Sequence, residues 1–471
     1  MMRSEPAPWL APAVALVIAI TAARLLLLAF DRTDLFVDEA QYWLWGQDFA
    51  FGYYSKPPLI AWLIGAVTAL AGSDDPFWVR SPGAVCHGAT ALILAALAAR
   101  LHGNRAAVWT AATYATLPMV AVGSLLMSTD TVMAPFLAAA LYFHARLLET
   151  PSLRFAMLAG AMAGVAFLGK YAAVYFLLGV GLGALLVPGM RLRVANVAAL
   201  IGAFGVVILP NILWNTTNGL ATASHILDNV GWVRNDRMLG SLNPQGLAEF
   251  FLAQFAVFGP ILFAVLLAAT ARLRLPRLLV FALPPLVIVC IQALLDRAYA
   301  NWAAAAYFAG TVLVVALLLS RPRWLVVSVA LNSAVALALP LATLAPQTAL
   351  GTDAPLLQRY IGRAALSQEI IAISRDLGSI PIVAERRDVL ADLFYTGRNE
   401  GLAVYAPRPV GRPQDHYETT YPMPVDLSGP IVFVSDAAPQ CPTVARPLAT
   451  QGGAYEGLSL SAYLVDAGCL Q

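Results

Sequence analysis

Runs of about 18–25 apolar residues recur along this chain with short polar interruptions, and no other feature limits its fold so tightly. A helix of about 20 such residues crosses roughly 30 Å of hydrocarbon, and a helix satisfies its own backbone polar groups where no water can. Runs near 9–30, 82–100, 106–124, 131–147, 154–170, 171–188, 194–213, 247–270, 278–295, 302–319 and 324–345 predict about eleven transmembrane helices. The chain is 59% hydrophobic and 12% charged, with mean hydropathy +0.71, which excludes a soluble globular protein. Pro58 to Gly72 is apolar but too short to cross, and is expected to lie along the interface as a juxtamembrane helix. The fold class is therefore an all-α polytopic membrane domain over residues 1–345, with the lipid bilayer as its first partner.

A net charge of +2, with basic residues scattered singly, argues against nucleic acid as a partner. Their placement does set an orientation. With the N-terminus in the cytoplasm, the inner loops collect Arg3, Arg100, Arg105, Arg146, Arg154, Arg191, Arg193, Arg272, Arg274, Arg277, Arg321 and Arg323 against Glu5 and Glu149. The loops at 31–80 and 214–246, and everything after about 346, then face outward. Beyond Pro346 charges return and the pattern becomes helix (356–377), strand (380–384), helix (388–396) and strands (402–405, 431–435, 458–465). Residues 346–471 thus read as a small α/β soluble domain on the periplasmic or extracellular side. Cys441 and Cys469 lie in this tail and are candidates for a disulfide on an oxidising face, whereas Cys86 and Cys290 lie in apolar runs.

Charge near the membrane is concentrated in the first outer loop. Asp38 and Glu39 follow the first span directly, with Tyr42, Trp43, Trp45, Tyr53 and Tyr54 after them, then Lys56 and the pair Pro57-Pro58. A carboxylate at the water boundary can take the proton of an attacking hydroxyl, although acidic residues after a span also serve as solvated loop residues, and tyrosine and tryptophan here also resemble an interfacial belt. Of 29 basic residues only Lys56 and Lys170 are lysine. A compact ammonium suits a phosphate, and both are candidates to bind one; the competing explanation is snorkelling from a helix end. Asp130, in Met127-Ser128-Thr129-Asp130, is a second candidate carboxylate or a helix N-cap. Arg297 and Asn301 add a cation and an amide at a further outer corner. Arg24, inside the first span, requires a partner such as Asp31 or a lipid phosphate.

Four motifs carry a resemblance: Asp38-Glu39-Ala40-Gln41-Tyr42; Tyr53-Tyr54-Ser55-Lys56-Pro57-Pro58-Leu59 with Ala61-Trp62-Leu63; Ser128-Thr129-Asp130; and Leu168-Gly169-Lys170. With their order along the chain, they resemble the GT-C polyprenyl-phosphate-sugar-dependent glycosyltransferases, in the branch of the lipid A 4-amino-4-deoxy-arabinose transferases and the bacterial relatives of protein O-mannosyltransferases. The resemblance implies that Asp38 is the principal catalytic carboxylate, with Glu39 beside it and Asp130 a second acid. It implies further that Lys56 holds the donor phosphate and that Tyr42 and Tyr53 line the substrate cavity; beside these, Lys170 or Arg297 is expected to assist at the phosphate, and Tyr54 and Asn301 to line the same cavity. The implied reaction is inverting transfer of a sugar from a polyprenyl-phosphate donor to a glycolipid, polysaccharide or protein acceptor at the outer face of a bacterial inner membrane. Two positions depart from the arabinose transferases: Gln41 stands where they carry an arginine, and Ser55 where they carry a glutamate. Without that glutamate no metal is expected, nor is any cofactor. The competing class is a transporter or lipid flippase; charges gathered at one boundary and the lack of an internal repeat favour an enzyme.

Overall fold

The computed structural model describes residues 8–220, 222, 242–271, 276–349, 351, 354–441 and 444–470. Most of the 214–246 loop lies outside the described residues, as do Arg3, Glu5, Arg272 and Arg274. The helices in order are α1 (Leu10–Leu28), α2 (Val37–Gly46), α3 (Leu59–Ala71), α4 (Pro76–His102), α5 (Asn104–Thr116), α6 (Pro118–Gly123), α7 (Thr129–Glu149), α8 (Leu153–Gly169) and α9 (Tyr175–Leu186). They continue with α10 (Val194–Thr217), α11 (Pro244–Val257), α12 (Pro260–Thr270), α13 (Leu279–Leu295), α14 (Ala306–Leu318), α15 (Pro322–Thr343), α16 (Arg363–Asp376), α17 (Arg387–Thr396) and α18 (His416–Thr420). The chain forms two compact units.

The first unit comprises Met1–Ala29, Ala50–Leu63 and Arg80–Pro340. Among the described residues, α1, α4, α7, α10 and α15 are long and apolar enough to cross a membrane, and five further helices are apolar but shorter. The chain is thus a multi-pass membrane protein, but fewer than eleven unbroken spans stand among the described residues. The run 247–270, expected as one helix, bends by 116° between α11 and α12. Gly259 takes φ +91, and a Cβ there would lie 2.5 Å from Asn332 Oδ1, so the left-handed turn and the close approach both require glycine. Pro260 then starts α12 at a position where a missing N–H costs nothing. The run 106–124 breaks likewise at Leu117-Pro118, between α5 and α6.

Small residues make the helix contacts here, as expected where lipid is as apolar as leucine. The buried face of α8 is Ala156, Ala159, Gly160, Ala163, Gly164 and Ala166. A Cβ on Gly160 would overlap the Leu200 carbonyl of α10, so these two backbones can only approach this closely through glycine. Arg24, buried in α1, donates from Nη2 to the Ala115 carbonyl at 2.5 Å, a backbone acceptor rather than Asp31 or a lipid phosphate.

The second unit gathers Phe30–Phe49, Ile64–Val79 and Leu341–Gln471. Its sheet has strand order β2-β1-β3-β5-β4, built from β1 (Ile382–Ala384), β2 (Val404–Tyr405), β3 (Pro430–Ser435), β4 (Val444–Pro447) and β5 (Ser461–Asp466). β1 pairs parallel with β2 and β3, and β5 pairs antiparallel with β3 and β4. The helix expected over 356–377 is shorter, with a separate 3-10 turn at Gln358–Tyr360 before α16. Gly362 at the start of α16 offers no side-chain cap; Asp34 supplies one, its Oδ2 accepting from the N–H of Arg363 at 2.7 Å. A segment just after the first span thereby closes a helix of the tail. Cys441 and Cys469 are joined in a disulfide with Cα atoms 6.2 Å apart.

Candidate active site

In the first unit, three of the candidate residues meet. Ser128, extended, accepts from the Thr131 N–H at 3.3 Å and starts α7. The cap is therefore Ser128, and Asp130 is left in the first helical turn with its carboxylate available. Both oxygens accept from Lys170 Nζ, each at 2.7 Å, and Asn301 Nδ2 donates to Oδ2 at 2.8 Å. Lys170 is the residue at which α8 ends, its N–H bound to the Ala166 carbonyl at 2.9 Å. An acid at a helix start and a cation at a helix end each complement the helix dipole, so both placements are favourable before the pair forms. The two side chains are 16% and 19% exposed, which screens them little. Arg297 is exposed, its guanidinium 6.0 Å above the Tyr299 ring.

The same unit holds the Lys56 loop. The Tyr53 N–H donates to the Lys56 carbonyl at 3.2 Å, and the Tyr53 hydroxyl accepts from the Ala50 N–H at 3.2 Å. Side chains from elsewhere pin the remaining carbonyls: Thr222 Oγ1 to Tyr53 at 2.8 Å, Asn211 Nδ2 to Phe51 at 2.7 Å, and Trp62 Nε1 to Ala50 at 2.8 Å. Tyr53, Pro57 and Pro58 are buried, while Tyr54 and Lys56 are half-buried. A loop so fully bonded presents its lysine from a fixed backbone rather than a mobile one.

In the second unit, Asp38 and Gln41 lie one turn apart on α2 and meet a residue from the tail. Arg387, opening α17, donates from Nη2 to Asp38 Oδ1 at 2.5 Å and from Nε to Gln41 Oε1 at 2.9 Å. Glu39 is buried and its Oε2 accepts from the Phe36 N–H at 2.9 Å, the reach-back of a helix-start carboxylate. The adjacent acids thus have different surroundings, Asp38 half-buried beside a guanidinium and Glu39 closing the first turn of its own helix. Tyr42 is buried, its ring centroid 5.6 Å from that of Trp45. Trp45 in turn meets His416 edge-on at 5.5 Å. Burial, helped by the charge of Arg387, pushes His416 down to about 4, so the ring is neutral at physiological pH. On α17, burial pushes Asp392 up to about 6. Among the described residues no three His, Cys, Asp or Glu side chains gather as a metal ion would require.

Asp38, Asp130, Lys56 and Lys170 stand in the motifs, and Asn301 at the further outer corner singled out beside Arg297. Arg387 and His416 were not singled out; the only trace of Arg387 was Gln41, an amide where the arabinose transferases have a cation.

A family model described as dolichyl-phosphate-mannose-protein mannosyltransferase matches residues 55–214. The chain is also 41% identical over 468 residues to the lipid A galacturonosyltransferase RgtD of Rhizobium johnstonii, covering 97% of this chain and 98% of that one. The chain belongs to that family of membrane glycosyltransferases. As an enzyme of this family it transfers a sugar, which sets aside the transporter or flippase expectation. Its fold is similar to that of ArnT from Cupriavidus metallidurans, in the apo state (TM-score 0.64, 14% identity) and bound to undecaprenyl phosphate (TM-score 0.63, 16% identity). Each comparison covers 97% of both chains. Lys56, Asp130 and Lys170 fall within the matched residues 55–214 of the enzyme, and Asp38 and Arg387 outside them.

Proposed function

We propose that this enzyme transfers a uronic acid, galacturonic acid foremost, from a polyprenyl phosphate carrier to lipid A at the outer face of a bacterial inner membrane. The observation that carries this reading is the 41% identity to a lipid A galacturonosyltransferase across nearly the whole of both chains. A polyprenyl carrier is supported by the shared fold with ArnT, which has been solved bound to undecaprenyl phosphate. The outward orientation is supported by arginine-rich inner loops and by the Cys441–Cys469 disulfide, which suits an oxidising compartment. With the shorter apolar helices α8, α9, α13 and α14, and the broken pairs α5–α6 and α11–α12 each taken as one crossing, the five long helices make up about eleven crossings.

In this mechanism the bond between the anomeric carbon and the phosphate oxygen breaks and the acceptor oxygen bonds to that carbon from the opposite face. The electron pair leaves with the polyprenyl phosphate. Asp38 accepts the proton of the acceptor hydroxyl, and Lys56, with Arg297, neutralises the departing phosphate. Lys170 takes a different part from the one its charge suggested: with both oxygens of Asp130 on its ammonium, the pair is nearly neutral and serves, with Asn301, to hold the ends of α7 and α8. Purified enzyme given labelled polyprenyl phosphate galacturonic acid and lipid A is expected to yield labelled lipid A and free polyprenyl phosphate. An intact donor after prolonged incubation, or label on a different acceptor class, would refute the reading.

A further inference from the structure

We propose that Arg387 of the C-terminal region is the positioning residue of Asp38, so that the tail completes the acid's geometry. This rests on the reading of Asp38 as proton acceptor. The guanidinium uses two donors along one edge, Nη2 on Asp38 Oδ1 at 2.5 Å and Nε on Gln41 Oε1 at 2.9 Å. Two acceptors three residues apart on one helix face therefore fix the plane of the fork, and the fork fixes the carboxylate. Among the described residues, Asp38 Oδ2 makes no hydrogen bond, so one oxygen is held while the other is left to receive a proton. Arg387 is itself aimed. Its neighbour Arg386 bonds Asp388 from Nε at 3.1 Å and Nη2 at 3.0 Å, which occupies the carboxylate next along α17. α17 is anchored to α2 beyond the pair: the Tyr395 ring meets Trp43 edge-on at 5.0 Å. Trp43 Nε1 donates to Asp74 Oδ1 at 2.8 Å and the Tyr395 hydroxyl to the Asp74 carbonyl at 2.6 Å.

A cation at this point need not come from the tail. Residue 41 is one turn from Asp38, so an arginine there reaches the same carboxylate from within α2. That makes a test which a purely structural role does not pass. The full-length enzyme is assayed with polyprenyl phosphate galacturonic acid as Arg387→Met, Arg387→Lys and the double variant Arg387→Met/Gln41→Arg. Displacement of a reacting group by about 1 Å costs on the order of 100-fold, so Arg387→Met is expected to lower kcat about 100-fold with donor KM within about threefold of wild type. The double variant is expected to recover to within about tenfold of wild type. Arg387→Lys, which keeps charge but not the fork, falls between them. Wild-type kcat in Arg387→Met, or a folded double variant no faster than the single one, overturns the assignment. If Arg387→Met does not fold, wild-type kcat in Arg387→Lys overturns it instead. Transfer by wild-type enzyme and its loss in Asp38→Asn uphold the underlying reading separately, so a failure at Arg387 alone is distinguishable from a failure of the proposed function.

Discussion

Two carboxylates in this enzyme are each held against a cation, and they reach it by different routes. Asp130 finds Lys170 across 40 residues, because α7 and α8 pack side by side with a short loop between them and the start of one lies beside the end of the other. Asp38 finds Arg387 across 349 residues, through a unit assembled from three separate stretches of chain. The first pair is nearly enclosed; the second is 43% and 39% exposed. The difference suggests a division of labour: the enclosed, locally built pair maintains the scaffold, and the open, remotely built one keeps a carboxylate oxygen available for chemistry.

The sharpest way to break this comparison is to remove the two acids separately. Asp38→Asn is expected to reduce transfer at least about 1000-fold while leaving the thermal unfolding midpoint unchanged, since general-base catalysis is worth roughly 100- to 10,000-fold. Equal turnover by wild-type and variant enzyme, measured as release of free polyprenyl phosphate, would end its catalytic role. Lys170→Met should act mainly on stability, by about 2–4 kcal/mol, because it strands the Asp130 carboxylate. Adding Asp130→Asn should restore part of that loss. Thermal unfolding of the two single variants and the double variant measures the coupling, and strict additivity would show that the pair does not stabilise the scaffold.

A third, smaller effect belongs to the unit that carries Asp38. Burial raises Asp392 from 3.8 to about 6, so across that window the folded unit keeps a proton that the unfolded chain has lost, and stability falls as pH rises. Burial lowers His416 from 6.5 to about 4; there the unfolded chain holds the extra proton, and stability rises with pH. The slopes oppose one another between about pH 4 and 6. Relative to wild type, Asp392→Asn should make the unfolding midpoint climb more steeply from pH 4 to 6, and His416→Gln should make it climb less or decline. Identical pH slopes in wild type and either variant would contradict the corresponding assignment. The least effect is at the cap of α7: Ser128→Ala should cost about 1 kcal/mol in the same assay, sharpening the estimate of what holds Asp130 in place.

Much of the enclosed cluster could be read directly from residues. The apolar runs marked α7 and α8, Ser128-Thr129-Asp130 marked the start of one, and a rare lysine marked the end of the other. The sheet strands Ile382–Ala384, Pro430–Ser435 and Ser461–Asp466 stood out for the same reason, a dense β-branched or aromatic core, whereas Val444–Pro447 is exposed at all four positions and left no pattern. The breaks at Gly259-Pro260 and Leu117-Pro118 were hidden because hydropathy averages over them. Arg387 was hidden for another reason: its partner is set by how the tail docks on α2, and no local spacing encodes that.

The contacts between the ends of the chain also impose a schedule on synthesis. Asp34 waits for Arg363, 329 residues later, and Asp38 for Arg387, 349 residues later. At about 5–20 residues per second, the ribosome takes roughly 20–70 s to cover the second interval. Throughout that time α2 stands without the guanidinium that bonds Asp38 and Gln41. On the proposed reading, a chain terminated before Arg387 carries Asp38 without the contact that holds it, and full transfer waits until that residue has been delivered.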